Sequence, residues 1–159
     1  MTSVPQHFQP DLTIEEAERQ DAAAIATIHL TARRQAMPYL RLAHTDDETR
    51  EYFERVVGDP PQAWWVVRHQ GHVVAYMLVD GENLDHLYVA PDWQGLGFGS
   101  ALVAKAKMLR PRRLVLWTFQ RNGRARAFYE AHGFHSIAQT EGANEENEPD
   151  AQYEWRNAP

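Results

Sequence analysis

The chain contains no cysteine among its 159 residues. A disulfide framework, a zinc–thiolate site and any mechanism through an acylated cysteine are therefore excluded. Long hydrophobic runs are missing too: no stretch approaches the ~18 apolar residues of a membrane span. Positive charge is the scarcer sign, with 16 Lys and Arg against 22 Asp and Glu and a net charge of −6. That balance argues against a surface that coats nucleic acid and favours a cationic or amine-bearing partner. Eight histidines are present, but no two take the His-Glu-x-x-His spacing on a helix. His69 and His72 flank a turn at Gln70-Gly71, so no metal is expected. Residues 1–11 hold two prolines and no apolar block, which reads as a disordered or extended arm and not a signal peptide. A cytoplasmic protein with one domain over residues 12–157 is the expectation, since that length supports a real core.

Periodicity orders the elements. Residues 12–19 alternate as a first strand. Asp21 is placed to N-cap a helix with Ala24, Ile25, Ile28 and Ala32 at helical spacing, ended by Pro38. Thr45 and Glu48 form a capping box before a second helix with Tyr52, Phe53 and Val56. Residues 63–68 and 72–79 read as a hairpin about Gln70-Gly71, and residues 83–89 as a further strand. A helix after Gly99 carries Leu102, Ala106 and Leu109. Residues 114–118 are a short buried strand, and Asn122 opens a helix with Ala125, Phe128, Tyr129 and His132 on one side, closed by Gly133. Residues 134–140 and 151–156 supply the last strands, with an acidic loop over 141–150 between them. The order β-α-α-β-β-β-α-β-α-β-β predicts an α/β fold with a mixed sheet flanked by about four helices.

The chemistry concentrates between Asn83 and Ser100, where an apolar strand runs into Gln94-Gly95-Leu96-Gly97-Phe98-Gly99-Ser100. Glycines at alternate positions before a helix bring bare backbone N–H groups and a positive helix end toward a phosphate. The spacing matches neither the dinucleotide Gly-x-Gly-x-x-Gly fingerprint nor a P-loop, which also needs a Lys-Ser or Lys-Thr pair. Taken with Leu87-Tyr88-Val89 upstream and Asn122-x-x-Ala125-x-x-Phe128-Tyr129-x-x-x-Gly133-Phe134 downstream, the pattern resembles the GCN5-related N-acetyltransferase (GNAT) family. The resemblance covers residues 12–156 in motif and element order.

What the resemblance implies is a GNAT-like mixed central sheet whose two parallel strands splay to admit acetyl-CoA. Leu87, Tyr88 and Val89 would offer backbone groups to the pantetheine arm and the thioester. Gln94, Gly95, Leu96, Gly97, Phe98, Gly99 and Ser100 would hold the diphosphate, with Asn122 and Phe128 completing the cofactor wall. Tyr129 matches the family's general acid, which protonates the departing thiolate. Several family members carry a glutamate base at the position of Asn83. Here an amide stands there, and Asp85, two residues on, inherits the expected role by strand alternation, with Glu82 acting through water as the other candidate. His86 should point the opposite way.

The acceptor, a small-molecule or peptide amine, is expected near Tyr39, Asn83 and Glu145. The acidic loop would suit a cation, whereas Arg33 and Arg34 would suit an acidic substrate. Transfer would be direct, within a ternary complex. The alternative reading is a catalytically silent acyl-CoA-binding regulatory module. No nucleic acid, membrane or metal is expected, and a homodimer is expected only by analogy with fold relatives.

Overall fold

The computed structural model describes residues 12–59 and 63–158. The N-terminal arm and the break at Pro60-Pro61 lie outside them. Seven strands form one sheet in the order β1-β2-β3-β4-β5-β7-β6. They are β1 (Thr13–Glu16), β2 (Ala63–His69), β3 (His72–Asp80), β4 (Asn83–Val89), β5 (Arg113–Phe119), β6 (His135–Gln139) and β7 (Asp150–Arg156). Four α-helices join them: α1 (Ala22–Ala36), α2 (Asp46–Val56), α3 (Phe98–Leu109) and α4 (Gly123–Ala131). The element order is the one the periodicity predicts.

Local chemistry sets the boundaries. Gln70 and Gly71 take φ of 51° and 79°, the left-handed pair that a two-residue hairpin with the right twist demands. Thr45 caps α2 by accepting from the Glu48 N–H at 3.1 Å, and Pro38 ends α1 one residue beyond its Met37 C-cap. Asp21 behaves differently from expectation. It precedes α1, but its carboxylate turns back to accept from the Glu18 N–H at 2.8 Å and from Arg68 of β2 at 2.8 Å. It ties the start of the helix to the sheet where a simple cap would not.

The sheet divides the core in two. One face packs Met77, Val79, Leu84, Leu102, Ala106 and Leu116 beneath α3 and α4. The other packs Ile25, Phe53, Trp64, Val66, Tyr76 and Leu78 beneath α1 and α2. Each fully buried Val, Leu, Ile, Met or Phe among them contributes roughly 1.5–3 kcal/mol by leaving water. The two faces therefore clamp the middle strands from opposite sides, and the middle of the sheet is where the regular ladder fails.

Candidate active site

Six neighbouring strand contacts make up the sheet, and the β4–β5 contact is the parallel one. Among the described residues it rests on a single register pair, Asn83↔Val115, supported by the Val115 N–H donating to the Glu82 carbonyl at 2.9 Å. Beyond that rung the strands separate, and a cavity of about 860 Å³ opens between them. Strand edges that diverge leave peptide N–H and C=O groups seeking partners. A ligand carrying amides of its own can satisfy them.

The wall on the β4 side contains a second irregularity. Leu78 pairs with His86 but Val79 pairs with Leu84, so Asp85 is an extra residue, a β-bulge. Leu84 and Leu87, three positions apart, consequently pack against the same core. The shared face expected of Asn83 and Asp85 does not survive this. Asp85 lines the cavity together with Leu87, Tyr88 and Val89, whereas Asn83 holds the rung and is not part of the lining. The Asp85 carboxyl is open to the cavity mouth, yet crowding by protein atoms, with Asp80 adding repulsion, raises its pKa above the ordinary carboxylate value.

The glycine loop forms the floor. Gln94 folds it against the strand by donating from Nε2 to the Val89 carbonyl at 3.1 Å. Gly95 and Gly97 take φ of 79° and 91°, and Gly97 is the N-cap of α3. The first helical bond runs from the Ala101 N–H to the Gly97 carbonyl at 3.0 Å. The N–H groups of Phe98, Gly99 and Ser100 precede that ladder and are free to converge on an anion. Gly99 has a different reason to lack a side chain: a Cβ there would sit 3.3 Å from the Phe128 ring. Gly95, Gly97, Phe98, Gly99 and Ser100 all line the cavity, and Leu96 does not. Its side chain is exposed on the outer side of the loop.

Helix α4 closes the third side. Asn122 is its N-cap, accepting from the Ala125 N–H at 3.2 Å through Oδ1, and it also lines the cavity beside Phe128 and Tyr129. Tyr129 is nearly buried. Desolvation, reinforced by Tyr88, pushes its phenol well above the ordinary value, so the hydroxyl holds its proton throughout the neutral range. It makes no hydrogen bond to another described residue. A protonated, unshared donor thus faces the gap.

The remaining wall combines the C-terminal turn of α1 with the loop between β6 and β7. Glu146 reaches the lining, and neighbouring Glu145 does not. Glu145 instead pairs with His44 at 3.3 Å on the surface. Tyr39 is also off the cavity, covered by the Arg121 guanidinium 3.7 Å above its ring. Glu146 pairs with Arg33 at 3.3 Å, and Arg33 begins a buried chain. It donates to His29 Nε2 at 3.2 Å, His29 Nδ1 meets the Tyr76 hydroxyl at 2.8 Å, and Tyr76 meets His86 Nδ1 at 2.9 Å. Burial, the His86 ring and the Arg33 charge lower the pKa of His29 to about 2, and burial and Arg33 lower that of His86 to about 4. Both rings are neutral at working pH. Arg33 fixes the direction: His29 must carry its proton on Nδ1 and give it to Tyr76, whose hydroxyl hydrogen then goes to His86. His86 faces away from the cavity, as expected, and serves as scaffold under β4.

Trp117, Thr118 and Phe119 of β5 and Arg124 of α4 are lining residues that the sequence did not single out as site residues. Glu146 sat within the acidic loop but carried no mark separating it from Glu145. Among the described residues, no group of three or more His, Asp or Glu is placed to hold a metal ion, and no helix is long and apolar enough to cross a membrane.

The gap, the glycine loop and α4 fall within the segment matched by the model of the acetyltransferase (GNAT) domain, residues 60–136. Residues 60–136 of this chain are GNAT-like. Among curated GNAT relatives, the peptidyl-lysine N-acetyltransferase YjaB of Salmonella typhimurium is 36% identical over 95 residues, 58% of this chain and 65% of that protein. The alignment thus spans less than two thirds of the length of that relative. The Escherichia coli peptidyl-lysine N-acetyltransferase YiaC is 26% identical over 125 residues, 78% of this chain and 84% of that one. The GNAT fold is reproduced by the solution structure of apo YjaB from Escherichia coli, with TM-score 0.77 at 21% identity over 92% of this chain and 99% of that one. The PaiA N-acetyltransferase of Thermoplasma acidophilum, determined in complex with coenzyme A, gives TM-score 0.72 at 12% identity over 92% of this chain and 99% of that one.

The likeness to GNAT proteins makes the glycine loop the first place to test for cofactor contact. Gly97 adopts a φ of 91° with open space where a Cβ would go, so Gly97→Ala introduces backbone strain without a clash. It is expected to cost about 1 kcal/mol of stability in a urea melt. The distorted loop should also weaken coenzyme A binding severalfold by calorimetric titration.

Proposed function

We propose that the protein is an acetyl-CoA-dependent N-acetyltransferase that acts on a primary amine, with a peptidyl lysine as the leading acceptor. The observation that carries this is the single-rung splay of β4 and β5, with the glycine loop at one end and the Tyr129 hydroxyl facing the gap. The peptidyl-lysine activity named for YjaB and YiaC supports the acceptor class.

The residues present suit acetyl-CoA. The N–H groups of residues 98–100 and the positive end of α3 receive the diphosphate. The free edge of β4 receives the pantetheine amides and polarises the thioester carbonyl, and Asn122 and Phe128 flank the arm. Acetyl-CoA supplies the activated acyl group. The amine nitrogen forms a bond to the acetyl carbon as the carbon–sulfur bond breaks. Asp85, directly or through water, takes the proton that the amine loses, and Tyr129 gives its hydroxyl hydrogen to the departing sulfur. With no cysteine in the chain, transfer is direct.

A base matters because a lysine amine of pKa ~10.4 costs roughly 4–5 kcal/mol to deprotonate at pH 7, against about 1 kcal/mol for an α-amine. Asp85, Glu146 and Asp150 place three carboxylates on the lining, which favours a cationic acceptor over an acidic one.

The deciding experiment follows free-thiol release from acetyl-CoA over lysine peptides, free amino acids, polyamines and peptide N-termini, with the acetylated product identified by mass. Thiol release matched by N-acetyl product on a lysine peptide is the expected result. Acetyl-CoA binding with no turnover on any amine would overturn the enzymatic reading in favour of a binding module.

A further inference from the structure

His132, the C-cap of α4, reaches across to the glycine loop. Its Nδ1 lies 2.7 Å from the Phe128 carbonyl and its Nε2 lies 3.0 Å from the Ser100 hydroxyl. A carbonyl can only accept, so Nδ1 carries a proton. In the neutral ring Nε2 is then bare, and it must accept the hydroxyl hydrogen of Ser100. Ser100 is in the first turn of α3 and lines the cavity, on the loop proposed above to receive the diphosphate. With its hydrogen turned to His132, it shows the incoming anion only lone pairs.

We propose that His132 is a positioning residue for the cofactor diphosphate and takes up one proton when the diphosphate binds. The inference rests on the reading of this loop as the diphosphate site. In the bound state the proton, drawn from solvent, sits on Nε2, which donates to Ser100 Oγ. The Ser100 hydroxyl hydrogen is thereby released to a phosphate oxygen. No covalent bond other than those to hydrogen changes. The alternative, rotating Ser100 alone, leaves the Nε2 lone pair facing an oxygen 3.0 Å away with no hydrogen between them. A protonated ring instead places positive charge beside two phosphates, at a helix N-terminus that already favours them.

The surroundings hold the ring in place and, among the described residues, leave it without a carboxylate partner. Phe128 packs on the ring with centroids 4.4 Å apart, holding it over the loop. The charged group facing this turn from α3 is Lys107, whose Nζ donates to the His132 carbonyl at 2.6 Å. On α4 itself the nearest carboxylate in sequence, Glu130, is engaged by Tyr153 of β7 at 3.0 Å. No carboxylate is bonded to the ring among the described residues. The diphosphate is the anion that would balance a charge there.

The test is isothermal titration of coenzyme A into the full chain near pH 7.5 in two buffers of different ionisation enthalpy, which counts protons exchanged. Relative to His132→Gln, the wild type should take up a substantial fraction of one extra proton. Because the bound state holds that proton, binding must weaken as pH rises. The wild-type Kd should climb by up to about tenfold per pH unit above neutrality, more steeply than that of the variant. Ser100→Ala should also abolish the extra uptake, which covers the case in which His132→Gln folds poorly. Acetylpantetheine, lacking the diphosphate, should show no difference between the proteins. Equal uptake in wild type and variants overturns the role of His132. A wild type that binds no coenzyme A at all would instead overturn the cofactor reading of the loop.

Discussion

Tyr129→Phe is expected to lower kcat by about a hundredfold or more, the range of general-acid catalysis, with the Kd for acetyl-CoA changed less than threefold. The substitution keeps the buried ring against Phe128 and Phe134 and removes only a hydroxyl bonded to no described residue, so the fold should be unaffected. The raised phenol pKa refines the role. Full proton transfer from a group so reluctant to ionise is uphill toward an ordinary thiol with a pKa of ~8.5. The thiolate, however, is born in the same desolvated gap, which raises its own proton affinity. On the proposed mechanism Tyr129 would therefore donate a hydrogen bond as negative charge appears on sulfur and give up the proton late. Because the proton is held across the neutral range, the pH–rate profile should show no descending limb from Tyr129 up to about pH 10. Steady-state kinetics alongside binding would check both points. Unchanged turnover would remove Tyr129 from the chemistry.

Asp85→Asn should have the second largest effect, and it should depend on the acceptor. With a lysine peptide near pH 7, a loss of ten- to a hundredfold in kcat/KM is expected, at the lower end of general-base contributions. An α-amine, already partly neutral, should lose far less. The sign of the pH dependence follows from the environment of Asp85. Its folded-state pKa lies above the unfolded value because the carboxylate is desolvated and repelled by Asp80, so the active, ionised form disappears as pH falls through that raised value. The asparagine variant should lack this acid limb. Linkage adds a second signature. A carboxyl whose pKa rises on folding favours the folded state when protonated and opposes it when ionised. Asp85→Asn should consequently raise the thermal midpoint at neutral pH while lowering activity, the trade expected of a group kept for chemistry. An equal loss on all amines would count against proton transfer by Asp85.

Much of this architecture is legible in the residues because the relevant signals are local. Gln70-Gly71 announces its hairpin, Thr45 its helix, and the alternating glycines their turn, each through backbone geometry that few other residues allow. Tyr129 and Asn122 can be placed because helical spacing carries them onto one side of α4. The features that escape sequence reading are non-local. Asn83-Leu84-Asp85-His86 alternates well enough on paper, and only pairing with Leu78 and Val79 reveals Asp85 as the extra residue. Nothing in the order of residues tells Glu145 from Glu146. One meets His44 and the other Arg33, partners more than a hundred positions away. Tyr39 is aromatic and well placed in sequence, but the Arg121 cation occupies its face. The buried chain from Arg33 to His86 is likewise assembled from one helix and two strands, and each member alone looks like an ordinary polar residue.

The lone rung between Asn83 and Val115 also bears on how the molecule comes apart. Hydrogen-bond ladders transmit cooperativity, and here the ladder linking strands β1–β4 to strands β5–β7 is one register pair deep. The two halves are otherwise joined through helices such as α3, which packs against both β4 and β5. Such a sheet contains two potential unfolding units whose coupling is weak in the free protein. A molecule seated in the gap touches both, so ligation fuses them into one, and it does so in proportion to the logarithm of ligand concentration. The opening that would make room for a substrate leaves the fold's own continuity partly in the keeping of whatever binds there.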